Sequence, residues 1–486
     1  MMTIRILVLT AYAIMIVFIG WLGMKRTRNF SDFFLGGGNV GPWMTAFTYG
    51  TAYFSAVLFI GFAGKIGWGF GLSALWIAAG NALIGVLGVW WFIGPRVKKM
   101  ADAYQVATMA EFFEKRYNSR FLKLLTAIVI FIFFIPYSAA VFMGLSYLFT
   151  SNFGVSYTVA LLFMGGFTAI YLVMGGYKSM AMIDVIFGMI MSVGVLLLLG
   201  SVLHAGGGFG EITFKLKMIE PRLTAPIGPP GLWPLFSLIF LTSVAPFAMP
   251  QLIQKFYAIR DLRSIRIGMI ASTLFALLIG GIGYFTGATS RLFLTPEGTP
   301  SAFSFGKPIF DALMPELIAN VIPESLSILI LLLIISASMS TLAALVLISS
   351  SAVTRDIYAG FINPEVSDKR LTFLMRIASA LFIVLSVILA YFRPDTIVTI
   401  LGISWGAIGA TFLGPFLWGL FTSFASRRGA IIGAILSLTV CLGLYFGGFS
   451  SPEAGTIGMI LSLVSVPLLS LVLPDAKLQK QKQVTI

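Results

Sequence analysis

With one cysteine, one histidine and 18 acidic residues in 486 positions, this chain is short of the side chains from which most catalytic and metal sites are built. Cys441 stands alone, so no internal disulfide can form, and its apolar setting marks it as a small filler. His204 has no second imidazole or thiol beside it with which to share a metal. It falls at the end of an apolar run, where an interfacial position and a proton-relay role are the two readings. No glycine-rich phosphate loop and no nucleophile beside a base is found. Charge is scarce as well. Asp, Glu, Lys and Arg together make 10% of the chain against 58% apolar residues, and a soluble domain of this length needs more polar surface than that.

Long apolar runs take the place of these groups. Thirteen candidate spans lie at about 5–24, 43–64, 70–94, 121–149, 155–175, 183–203, 232–256, 266–290, 324–352, 371–392, 396–422, 429–448 and 455–473. Each is about long enough to cross the roughly 30 Å hydrocarbon core of a bilayer as a helix. Backbone groups inside lipid must satisfy one another, which leaves helices or a closed barrel, and the short alternating segments of a barrel are missing. The expected fold class is an all-α integral membrane protein, multi-pass in the cell membrane (plasma or inner).

The formal net charge of +14 fits that class through its placement. Basic residues cluster between spans: Lys25-Arg26-Thr27-Arg28, Arg96 with Lys98 and Lys99, Arg427-Arg428, and Lys477 with Lys480 and Lys482. Alternation from an external N-terminus leaves Arg5, Lys65, Lys215, Lys217, Arg222, Arg291, Lys307 and Arg393 outside and Arg376 within a helix. All other Lys and Arg fall inside, so the expected topology is N-terminus outside and C-terminus inside. Residues 5–24 lack a small-residue cleavage site and precede the strongest basic cluster, which reads as a retained helix rather than a signal peptide. No basic stripe with interleaved aromatics is present, so no nucleic acid is expected as a partner. Membrane lipid and a small organic solute remain, with no obligatory protein partner expected.

Two spans carry signs of a break. Span two has Thr48-Tyr49-Gly50-Thr51-Ala52-Tyr53-Phe54-Ser55 at its middle, small and polar within an apolar run, and span seven has Pro246 and Pro250. Each proline lacks an amide donor and frees a carbonyl one turn earlier. Irregular backbone at mid-membrane is tolerated where it lines a cavity, as in transporters; ordinary kinked packing is the alternative. The two spans lie five apart, as matching first members of two five-helix repeats, and an odd number of helices per repeat inverts the second. The division expected is 1–42 (an extra first helix and loop), 43–203 (first repeat), 204–231 (an external loop rich in Gly and Pro), 232–423 (second repeat), 424–473 (two peripheral helices) and 474–486 (a cytoplasmic tail). A second external segment, 292–323, is long enough for local structure, and the internal loop 95–120 reads as a short amphipathic helix.

Few intramembrane side chains can do chemistry. Span nine holds Ser336-Ala337-Ser338-Met339-Ser340-Thr341. Such hydroxyls commonly bond their own backbone or a neighbouring helix. They also supply neutral oxygens, and a broken helix facing a hydroxyl-bearing one is a minimal recipe for holding sodium. Asp184, the one carboxylate placed within a span, is a functional acid or a helix-start acid favoured by the dipole. Lys65, some ten residues beyond the break, either snorkels to the outer interface or draws a carboxylate-bearing solute into an outer vestibule. Tyr137, beside Pro136, is a cavity-lining or a packing aromatic.

The sequence resembles the sodium:solute symporter family, which includes proline, pantothenate, sugar and sialic acid carriers. The resemblance begins at Asn29-Phe30-Ser31-Asp32-Phe33-Phe34-Leu35-Gly36-Gly37, close to the family's "NFxDYxLGGR". It continues through Gly175-Gly176 with Asp184 eight residues on, Pro250-Gln251 leading to Lys255-Phe256, and Met339-Ser340-Thr341 with Ser350, Arg355-Asp356 and Tyr358, like the family's "MST…SS…DLY" helix. It implies thirteen helices, the LeuT-type 5+5 inverted repeat and sodium-coupled symport by alternating access. By position it implies a sodium site of Thr51, Phe54 and Ala337 carbonyls with Ser340 and Thr341 hydroxyls, and Asp184 on the ion's release path. Members with a second sodium carry serines where this chain has Ala343 and Ala344, so one sodium per cycle is expected. Tyr53 stands where proline carriers have an acid, and Thr51-Ala52-Tyr53 looks more like the pantothenate carriers. The candidate pocket is Tyr53, Phe54, Ser55, Tyr137, Thr242, Phe247 and Met249, for a carboxylate-bearing or zwitterionic solute such as a pantothenate-, monocarboxylate- or amino-acid-like compound. Proton-coupled or sodium-independent transport, with Asp184 titrating, is one alternative. A membrane sensor is another, although the twelve residues after Pro474 are too few for a soluble signalling domain.

Overall fold

The computed structural model describes residues 2–26 and 30–475. Thr27 and Arg28 of the first basic cluster, Asn29 of the family motif and the tail lysines Lys477, Lys480 and Lys482 lie outside the described residues. Apart from a two-stranded ribbon, Phe303–Ser304 with Lys307–Pro308, the described residues form helices and their connections. Eleven of these helices are long and apolar enough to cross a membrane. One of them, Val57–Tyr104, has 48 residues and a break at Gly71. Unbroken it would run about 72 Å, more than twice the core of a bilayer. The segments on either side of the break both pack against the Leu262–Thr289 helix.

The sequence punctuates these helices locally. Ser119, Ser156, Asp261, Ser367, Thr396 and Ser426 each stand just before a helix, and each side chain accepts the backbone amide three residues on. Spans five and six form one run, Tyr157–Gly206, broken at Gly176 (φ 66°, ψ 178°). A Cβ there would lie 2.8 Å from the Phe33 ring, so glycine serves both the bend and the contact. Span six therefore begins at Tyr177 and not near 183, because Tyr177-Lys178-Ser179 is polar enough to end an apolar run yet helical in the protein.

The loops carry the expected local structure. The segment 95–120 holds most of two helices, Gly94–Tyr104 and Met109–Tyr117, and the two other long loops hold Phe209–Ile219 and Phe310–Val321. The long helices pack with inverted-repeat geometry, each repeat opening on a broken helix. Large apolar side chains such as Trp91, Leu162, Phe373 and Leu471 are exposed, which suits lipid and would drive aggregation in water.

Backbones approach closely where the second half of span two crosses span eight. A Cβ on Gly287 would lie 2.1 Å from the Ala63 carbonyl oxygen, a backbone atom that no rotamer change moves aside. Gly287→Ala is expected to cost about 3 kcal/mol of stability. Thermal unfolding in detergent checks this, and an unchanged midpoint contradicts the close approach.

Candidate functional site

Span two is helical over Pro42–Tyr53, leaves the helix at Phe54 (φ −108°, ψ 118°) and resumes over Val57–Gly67. Its restarted half is capped by hydroxyls. The Val57 amide donates to Ser55 Oγ at 3.1 Å, and the Ala56 amide donates to Ser338 Oγ on span nine at 3.0 Å. The Ala56 and Val57 amides are thus satisfied, and the carbonyls ending the first half are left to converge on span nine.

That convergence is centred on Thr341. Its Oγ1 lies 3.3 Å from the Thr51 carbonyl oxygen, 3.3 Å from that of Ala52 and 3.1 Å from that of Ala337. A hydroxyl has one proton to donate; the Ala337 carbonyl lies within the unbroken Glu324–Ser351 helix, but those of Thr51 and Ala52 end a helix and make a surplus of acceptors. Ser340 Oγ donates to Thr51 Oγ1 at 2.8 Å, which in turn donates to the Phe47 carbonyl at 2.6 Å. Neutral oxygens crowded without enough donors suit a hard cation such as sodium, and unwound carbonyls serve this purpose in membrane transporters. Of the five expected ligands, Thr51, Ala337, Ser340 and Thr341 meet here, and Phe54 is the residue at the break. Span nine is central rather than lipid-facing, with 94% of its apolar window buried against 22% for the first helix. Among the described residues no group of His, Cys, Asp or Glu could hold a metal ion.

Asp184 lies next to this contact. It sits eight residues beyond the Gly176 bend, about 12 Å into the helix, which places it past the first turn where the dipole acts. The helix-start reading of this acid therefore fails. It is fully buried, with neither carboxylate oxygen in a hydrogen bond among the described residues, and the Ser340 hydroxyl and the Lys255 ammonium face it. Lys255 is fully buried too, 5.0 Å above the Tyr177 ring. His204, by contrast, ends span six at an exposed position.

A cavity of about 30 Å³ lies at the span-two break, lined in part by Tyr53, Phe54, Ser55, Tyr137 and Thr242. Tyr53 ties the two broken spans together by donating from its hydroxyl to the Thr242 carbonyl at 2.6 Å. Phe247 and Met249 are not part of the lining. Met249 is fully buried at the span-seven break, and Phe247 approaches Gly88 of span three. The reason is local: Ala245–Ala248 winds as a 3-10 turn, advancing about 120° per residue instead of about 100°, so an α-helical count misaims both side chains. Sequence reasoning missed Asn81, Tyr284 and Trp405, which also line this cavity. The Trp405 ring meets those of Tyr53 and Tyr137 edge-on at 6.0 and 5.8 Å, and its buried Nε1 has no acceptor. An isolated Asn81 in an apolar run was a signal available in the sequence.

Polar clusters flank the membrane core at both ends. At one end, Arg355 Nε donates to Glu111 Oε1 at 2.7 Å and the Thr108 hydroxyl donates to Asp356 at 2.7 Å, joining the Met109–Tyr117 helix to the end of span nine. At the other, Lys65 Nζ donates to Thr396 Oγ1 at 3.0 Å, and the buried Asp311 accepts the Ile397 amide at 3.1 Å. Burial pushes the Asp311 carboxyl up to about 6, opposed by the Ile397 amide and by Lys65 and reinforced by Asp395. Between about pH 4 and 6 the folded state therefore keeps a proton that the unfolded chain releases, so this residue lowers stability as pH rises through that window. Asp311→Asn is expected to match wild type near pH 4 and to exceed it in thermal stability above pH 6. A difference that does not vary with pH contradicts this.

Comparison with known proteins gives this arrangement a family. The sodium:solute symporter family profile matches residues 33–437. The chain belongs to the sodium:solute symporter family. Among curated proteins it is 28% identical to the osmoregulated proline transporter OpuE of Bacillus subtilis, over 97% of this chain and 95% of that one. It is 27% identical to the sodium/proline symporter of Escherichia coli, over 97% and 94%. Among solved structures, a Na+-coupled sialic acid symporter in a substrate-bound outward-open state superposes with a TM-score of 0.83 at 18% identity, covering 96% of this chain and 97% of that one. At that identity the likeness is one of fold. As a member of the sodium:solute symporters, the chain is a sodium-coupled secondary transporter of a small organic solute in the plasma membrane, and not an enzyme.

Proposed function

We propose that this symporter crosses the membrane thirteen times with its N-terminus outside, and imports a carboxylate-bearing or zwitterionic solute with one sodium ion per cycle. The count follows from dividing Val57–Tyr104 at Gly71, dividing Tyr157–Gly206 at Gly176 and including Pro42–Tyr53 with the second span. The orientation follows from the excess of Lys and Arg it puts inside. The observation that carries the ion site is the surplus of carbonyl acceptors around the Thr341 hydroxyl. Thr51, Phe54 and Ala337 would supply carbonyls to the ion, and Ser340 and Thr341 hydroxyls. Bound sodium neutralises the crowded dipoles and fixes the break in span two, whose next residues, Tyr53 to Ser55, form one wall of the solute pocket. Ion and solute thereby depend on the same backbone, and each strengthens the other's binding. Asp184, with two unpaired buried oxygens beside Ser340, is the next stop for an ion leaving that site. Coupling requires that sodium bind the outward form better than the inward one.

The named relatives transport proline, so a small zwitterionic amino acid is the first candidate, with Tyr53 setting this pocket apart from proline carriers by the acid it lacks. A panel of amino acids, monocarboxylates and pantothenate, scored by sodium-dependent thermal stabilisation and then by tracer uptake in proteoliposomes, tests the assignment. Stabilisation and uptake that both require sodium support it. Uptake that persists in sodium-free medium under an imposed pH gradient favours proton coupling through Asp184 instead.

A further inference from the structure

The candidate pocket has no room for an organic solute in this conformation, since about 30 Å³ is the space of a single water molecule. A cavity of about 720 Å³, the size of an ordinary small-molecule site, lies beyond it. The same three helices line both. On span seven the larger cavity takes Leu238 and the smaller Thr242, one turn apart. On span eleven it takes Val398 and Thr399, and the smaller takes Leu401 and Trp405. On span two Lys65 and Ile66 stand about one turn beyond Phe62. The large cavity is therefore stacked on the outer side of the small one, with Phe62, Leu238 and Leu401 at the level between them.

Two groups of opposite charge line this chamber, Lys65 and Asp395. Lys65 is half-buried and its Nζ donates to the hydroxyls of Thr396 (3.0 Å) and Thr399 (3.5 Å), with no ion pair to a carboxylate among the described residues. One oxygen of Asp395 accepts the Thr396 amide. Phe70, Tyr445 and Phe449 supply apolar walls. A monoanion entering here gains Lys65 but meets the charge of Asp395, and a cation meets the reverse. A small zwitterion with an apolar body satisfies both groups and the walls together.

We propose that this outer chamber is a first binding station that selects zwitterionic solutes, with Lys65 receiving the carboxylate and Asp395 the ammonium before the solute passes to the inner pocket. The assignment rests on the import topology proposed above and narrows its solute class. A station vacated before the rocking step sets the concentration needed for uptake and leaves the maximal rate alone.

Kinetics in proteoliposomes under an inward sodium gradient test it, with two probes of matched shape, L-proline and cyclopentanecarboxylate. Wild type is expected to favour proline. Lys65→Gln should raise KM about ten-fold for both probes, the loss of one charge-assisted hydrogen bond, with an unchanged maximal rate and partial recovery in Lys65→Arg. Asp395→Asn, at an exposed position, should raise KM about three-fold for proline only, with recovery in Asp395→Glu. Equal shifts of both probes in Asp395→Asn, no KM shift in either variant, or a fall in maximal rate alone overturns the station. Wild-type uptake of the anion but not of proline also overturns it, and leaves sodium coupling standing. Uptake with the expected variant pattern but without any sodium requirement overturns the coupling and supports the station. Uptake of neither probe overturns the station and leaves sodium coupling to the wider panel.

Discussion

The Ser340→Ala, Thr341→Ala double variant is expected to need about a hundred-fold more sodium than wild type for half-maximal uptake. Each hydroxyl offers the ion one neutral oxygen, and losing one such contact in a buried site costs about 1.4 kcal/mol, or about ten-fold in binding. The singles should differ. Thr341 Oγ1 stands among three carbonyls, so Thr341→Ala removes the oxygen at the centre of the proposed ligand set. Ser340→Ala removes a donor to the Thr51 hydroxyl, which keeps its own bond to Phe47. Thr341→Ala is thus expected to be the more damaging, and Thr341→Ser, which keeps the oxygen, nearly silent. At saturating sodium the maximal rate should recover in all of them. Sodium activation curves of uptake measure this directly, and a double variant with an unshifted curve places the ion elsewhere.

With the orientation proposed above, Arg355→Ala is expected to shift the chain about a hundred-fold toward the form open at its cytoplasmic face. Glu111 accepts from Arg355 and from the Ala107 amide at 2.8 Å, and the pair is largely buried, at 26% and 16% exposure. Without the guanidinium, Glu111 and the neighbouring Asp356 are two carboxylates in a partly buried space. Breaking one partner of such a pair costs about 3 kcal/mol, and separation of the loop helix from span nine returns both acids to water. The chain suits the measurement, since its one cysteine, Cys441, is buried. In a Cys441→Ala background, a cysteine introduced at the buried Ser349 position should react with an impermeant maleimide from the cytoplasmic side many-fold faster once Arg355 is replaced. Equal rates show that this network is a static brace.

What the sequence reveals follows from how local each feature is. The break in span two is readable because Thr48 to Ser55 is small and polar where an apolar run should continue, and the structure leaves the helix at Phe54 within that stretch. Pro246 and Pro250 mark the second break for the same reason, as loss of a donor needs no tertiary information. The facing of side chains beyond a break is another matter. Phe247 and Met249 are aimed by a 3-10 turn whose pitch the composition does not announce, and Trp405 becomes a pocket wall through the packing of span eleven against span two. The pair Glu111 and Arg355 is separated by 244 residues, a contact that no local pattern encodes. Asp184 shows the mixed case: its place as a lone acid in an apolar run is legible, and its depth is not, because the Gly176 bend sets where the helix starts.

Equilibrium binding of radioactive sodium to the purified symporter tests the central claim most directly, because it requires neither the solute nor a working transport cycle. One sodium ion per chain is expected for wild type, none at the same concentration for the Ser340→Ala, Thr341→Ala variant, and one again for Thr341→Ser. Undiminished binding by the double variant, or two ions on the wild-type chain, would contradict a single site built from the span-two break and the hydroxyls of span nine.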